Sequence, residues 1–169
     1  METLKHASHT RVLLTQAQNN TTLWIGHLQS DPLDHFAGQT FISTSDGMLD
    51  NIQVLASSIQ LPGEVILNLH SFNAATKKWG SLLATARATV EKNDHSKWIR
   101  FDLPPIELKA EESYGFRLQA SGAMVAIGEA ASGARHPFFF GQEWEADSKD
   151  LTGHFYSYFS LAFKVELCA

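Results

Sequence analysis

Apolar and polar side chains alternate along most of this chain. Across residues 97–103, Ile99, Phe101 and Leu103 share one face, and Trp98, Arg100 and Asp102 share the other. Val65, Leu67 and Leu69 alternate with Ile66, Asn68 and His70, and Tyr114, Phe116 and Leu118 with Arg117 and Gln119. Near the C-terminus Leu161, Phe163, Val165 and Leu167 alternate with Lys164 and Glu166. A period of two predicts strands buried on one side. Residues 82–90 alternate too; their alanines suit a helix, but Thr85, Thr89 and Val90 favour a strand.

Turn signals punctuate these runs: Ser45-Asp46-Gly47, Leu61-Pro62-Gly63, the polar stretch 73–78, the charged stretch 91–96, Pro104-Pro105 and Ser121-Gly122. Phe138-Phe139-Phe140 reads as the opening of another strand, residues 143–153 as a long polar loop, and 155–167 as the last strand. About nine or ten strands with turns between them and no long helix predict an all-β, jelly-roll-like antiparallel β-sandwich. The first 36 residues keep the pattern poorly and read as an N-terminal arm with one strand near residues 22–28. The β-sandwich domain then covers residues 37–169.

Composition narrows the classes. At 169 residues and 44% apolar, the chain is the size of one domain with a sizeable core. A net charge of −5 without a basic run argues against binding nucleic acid through its phosphates. No apolar run approaches the roughly 18 residues of a membrane span. Cys168 is the single cysteine, so an intrachain disulfide is excluded. The N-terminus as it stands is not a signal peptide, which leaves a cytoplasmic protein or a processed exported domain. No cofactor motif is present.

Several phrases together carry a resemblance. They are Gln39-Thr40-Phe41-Ile42-Ser43, Asp46-Gly47-Met48-Leu49-Asp50-Asn51-Ile52-Gln53-Val54 and Trp98-Ile99-Arg100-Phe101-Asp102-Leu103. Leu108-Lys109-Ala110 before Tyr114-Gly115-Phe116-Arg117-Leu118, and the closing Ser160-Leu161-Ala162-Phe163-Lys164-Val165, complete the set. Over residues 38–167 the chain resembles the jelly-roll modules of bacterial surface and carbohydrate-binding proteins. The resemblance implies a non-catalytic module. Ser160 stands where such closing strands often carry an acid that helps to hold a structural calcium, so that site is not carried over.

Two patches are candidates for binding. Trp98, Arg100 and Asp102, with Arg117 and its neighbours Asn68 and His70, form a polar sheet face on which a sugar ring can stack while charged groups bond its hydroxyls. The plainer reading is an outer face whose arginines pair with Asp102 across strands. The second patch lies in loops: Trp79, and Arg135-His136-Pro137 with Glu143 and Trp144. Its plainer reading is tryptophans plugging the end of the sheet. No H-x-H or H-E-x-x-H spacing occurs, and His6 and His9 lie in the arm, so no metal site is assigned. No nucleophile elbow occurs, so no catalytic residue is assigned. The sequence therefore favours a non-catalytic carbohydrate-binding module. The alternative is a self-assembling interaction protein that uses the sheet face and the arm, with a second copy of the chain as partner.

Overall fold

The computed structural model describes residues 9–27, 30–133 and 136–169. Fourteen strands form one antiparallel sheet: β1 (Thr10–Gln16), β2 (Thr21–His27), β3 (Asp34–Ile42), β4 (Gly47–Leu61), β5 (Gly63–Asn73), β6 (Lys78–Val90), β7 (Lys97–Asp102), β8 (Glu107–Leu108), β9 (Ser113–Ser121), β10 (Met124–Ala131), β11 (Glu143–Asp147), β12 (Asp150–Tyr156), β13 (Phe159–Leu161) and β14 (Phe163–Cys168). A single short 3-10 turn, Lys92–Asp94, is the only helical element among the described residues. None of their helices is long and apolar enough to cross a membrane.

The main path of the sheet runs β1-β14-β4-β10-β2-β3-β9-β5-β6. It curls, so strands far apart on that path meet through their apolar faces. Phe41 of β3 and Phe116 of β9 lie with ring centroids 6.3 and 5.8 Å from Phe163 of β14, and all three are fully buried. The 15-residue β4 joins the regions: its first half pairs with β14, its second half with β10, and its other edge with β7.

Fourteen strands replace the expected nine or ten for local reasons. β1 and β2, inside the first 36 residues, pair with β14 and β10. The stretch 143–153 is not a loop but holds most of the β11–β12 hairpin, because all five residues of β11 take places in the ladder with β3. The expected last strand is interrupted at Ser157–Tyr158 and at Ala162, giving the end of β12, then β13 and β14. Residues 138–140 form no strand; Phe138 N donates to Ser157 O at 2.8 Å and Ile42 N to Phe140 O at 2.9 Å, isolated bonds rather than a ladder.

One register organises both faces of the region around β11. Asn68, Arg117, Gly38, Trp144 and Phe155 pair across β5, β9, β3, β11 and β12, and so point to one face. One step along, Leu69, Phe116, Gln39, Glu143 and Tyr156 form the neighbouring row, which points to the core.

Candidate functional site

On the outer row, glycines let two indoles lie against the sheet. A Cβ at Gly38 would stand 3.1 Å from Cε3 of Trp144, and one at Gly115 would stand 2.6 Å from Cζ3 of Trp79. Trp144 is fixed further by donating Nε1–H to Thr152 O at 3.0 Å. Arg117 lies against both rings, which meet edge to face with centroids 5.6 Å apart; its Cζ is 5.0 Å from the Trp79 centroid and 5.7 Å from that of Trp144, within cation–π reach of each. Phe72 and Phe155 complete the aromatic wall around Trp79.

His70 orients the guanidinium. Its Nδ1 lies 3.1 Å from Gly80 O, so that nitrogen carries the proton, and Nε2 accepts from Arg117 Nη2 at 3.0 Å. The ring is therefore neutral. Burial, reinforced by the charge of Arg117 and opposed by the Gly80 bond, holds His70 below its ordinary value. Burial also lowers Arg117. Among the described residues no carboxylate pairs with Arg117. The guanidinium instead borders a cavity of about 220 Å³ lined with Phe36, Asn68, Gln119, Trp144 and Leu151. This pocket can receive a flat or ring-shaped polar ligand: indole on one side, amides and a planar cation on the floor.

The inner row carries an acid, Glu143, in place of a cation. Glu143 is fully buried, and no N–H or hydroxyl donor reaches either of its carboxyl oxygens. Glu129 of β10 is also buried and Glu145 is half-buried; one oxygen from each of the three lies within 4.8 Å of the others. Burial, then the hydrogen bond and charge of Glu129 and the charge of Glu145, push Glu143 up to about 10. Burial likewise raises Glu129 and Glu145. Here the hydrogen bond from Glu129 is one that a shared proton would make; between two carboxylates neither side can donate. Glu145 opens onto a cleft of about 170 Å³ that it shares with Trp24, His35, Phe36, His154 and Tyr156.

The sequence-derived candidates fall in separate places. Arg117, Trp79 and Trp144 converge, with Asn68 and His70 beside them. Trp98, Arg100 and Asp102 do not join them, because β7 pairs with β4 and not with β5 or β9. Arg100 is satisfied there, bonding Asp102 at 2.7 Å and Asp50 at 2.9 Å, and Lys164 Nζ sits 4.2 Å over the ring of Trp98. His136 is exposed, its carbonyl accepting from Ser132 Oγ at 2.6 Å. Glu143 lies on the face of β11 opposite Trp144. Arg135 and His6 lie outside the described residues. Glu129 and Glu145 were not picked out from the sequence, although Glu129 is the lone charge in the otherwise apolar Met124–Ala131, which was a usable signal. Trp24, 37% exposed at the rim of the smaller cleft, was likewise passed over.

Compared with known proteins, the chain matches no family model and no curated protein.

Proposed function

We propose that this protein is a non-catalytic carbohydrate-binding module whose ligand sits in the pocket bordered by Arg117, Trp144, Asn68 and Gln119. The observation that carries this reading is Arg117: a half-buried cation, packed against two indoles and bonded to a neutral histidine, with no carboxylate among the described residues to neutralise it. A desolvated arginine without a counter-ion favours a ligand that brings one. The ligand class is thus an acidic sugar, its carboxylate taken by Arg117 and its hydroxyls by Asn68 and Gln119. Trp144 supplies an apolar wall more than a stacking platform, since it is only 2% exposed. The curled sheet, with β4 passing between its regions, fits the jelly-roll-like sandwich that residues 38–167 resemble.

The test is binding of uronic-acid-containing and neutral oligosaccharides on a glycan array, followed by calorimetry. The expected result is retention of acidic glycans and a loss of at least tenfold in affinity for Arg117→Lys, which keeps the charge but not the planar fork. Absence of any glycan signal for the folded protein would sink the proposal. A second reading, an interaction surface between copies, is favoured by Phe139, which is 92% exposed beside Phe138 and Phe140. Under that reading light scattering shows an oligomer that Phe139→Ser dissociates.

A further inference from the structure

Leu69, Phe116 and Gln39 lead straight across the core-facing side of the sheet to Glu143. A carboxylate in that core-facing row, fully buried and with no N–H or hydroxyl donor at either oxygen, is a costly arrangement. Its neighbours make the cost worse, since Glu129 and Glu145 are acids too. No lysine or arginine pairs with any of the three among the described residues. Either a shared proton or a bound cation must offset this cluster, and among the described residues no lysine or arginine supplies the charge.

We propose that Glu129, Glu143 and Glu145 bind a calcium ion that ties β10 to β11. The donor atoms are all carboxylate oxygens, the ligand type of hard cations; a zinc or copper site would use imidazole or thiolate. One oxygen from each residue lies within 4.8 Å of the others, the span of two ligands on opposite sides of a single ion at a Ca–O distance of about 2.4 Å. Three carboxylates, each able to bind through one oxygen or two, and water from the adjoining cleft supply the six to eight oxygens calcium takes. Glu145, half-buried and lining that cleft with Tyr156, gives the ion its entry path. This inference stands apart from the sugar pocket, which lies on the other face of β11.

The experiment uses the full chain, treated with chelator and dialysed, then melted in increasing CaCl₂. The melting temperature is expected to rise with calcium, and at a concentration 100 times the Kd the folded-to-unfolded ratio rises about 100-fold. Terbium added in place of calcium should show emission sensitised through Tyr156, the cross-strand neighbour of Glu143. Glu143→Gln should lose both effects; Glu145→Gln, at a half-buried position where folding is less at stake, should weaken both. The proposal is overturned if millimolar CaCl₂ leaves the wild-type melt unmoved. It is equally overturned if both variants keep the full calcium response, or if zinc stabilises the protein and calcium does not. A wild type indifferent to calcium whose Glu143→Gln variant is more stable would identify a shared proton as what holds the acids together, and would also overturn it.

Discussion

At the residue scale, the positions that organise the pocket are those without side chains. Gly115 lies under Trp79, and a methyl there meets Cζ3 at 2.6 Å and Cη2 at 3.1 Å. An indole wedged among Phe72, Phe155 and Trp144 has little room to retreat. Gly115→Ala should therefore cost about 1–3 kcal/mol of stability, the usual range for overpacking, and should shift tryptophan fluorescence. Denaturant titration reads the first and an emission spectrum the second; an unchanged midpoint would show that Trp79 is not seated as described. His70 gives a pH dependence with a definite sign. Its folded value is depressed below 6.5, so as pH falls through that ordinary value the unfolded chain takes up a proton that the folded protein resists. The stability is fully present above the unfolded value and is lost as pH falls toward the folded one. Urea midpoints between pH 7.5 and 5 should decline more steeply for the wild type than for His70→Asn; parallel curves would remove His70 as the source. Arg117 was legible in the sequence as one of two arginines on polar strand faces, but alternation gives only the face. Which arginine keeps its carboxylate partners depends on strand pairing, and pairing set Arg100 beside Asp50 and Asp102 while leaving Arg117 with aromatics.

At the element scale, the β11–β12 hairpin is the piece that the sequence hid. Alternation is present in Glu143-Trp144-Glu145-Ala146-Asp147, but the core-facing positions are the acids and the outward one is tryptophan, the reverse of the ordinary pattern. A polar reading followed from hydropathy alone. Strands whose burial follows the rule, such as β5, β7, β9 and β14, were legible for the same reason that β11 was not. The hairpin carries Trp144 outward and Glu143 and Glu145 inward, so its turn supports both sites. That turn is tied by Asp147, whose Oδ1 accepts from Lys149 N at 2.9 Å and Asp150 N at 2.8 Å. Asp147→Ala should cost about 1 kcal/mol locally, which speeds hydrogen exchange of β12 amides about fivefold while amides of β5 and β9 exchange as before. Equal acceleration throughout the sheet would mean that the hairpin opens only with the whole molecule.

At the scale of the whole molecule, the topology separates contacts that are cheap to form from those that are not. β5 and β6 pair along their length, from Gly63 opposite Val90 to Asn73 opposite Lys78, across one short turn. β1 instead pairs with β14, setting Thr10 opposite Cys168 and Leu14 opposite Val165, so nearly the entire chain must be looped to make that ladder. Loop-closure entropy delays the second kind of contact, and a sheet dominated by such pairings folds in milliseconds to seconds. The β5–β6 hairpin, with β9 docking against β5, is therefore the natural nucleus, and β1 is added late. Two substitutions separate the roles. Ala86, buried in β6 opposite Leu67, changed to glycine should lose about 1 kcal/mol, and most of that loss should appear as slower refolding. Leu14, packed against the core from β1, changed to alanine should leave refolding nearly unchanged and speed unfolding instead. Stopped-flow chevrons measure both arms. Should Leu14→Ala slow refolding as much as it destabilises the protein, the chain ends would have met before the transition state, and the order of assembly would run the other way, from the β1–β14 edge inward.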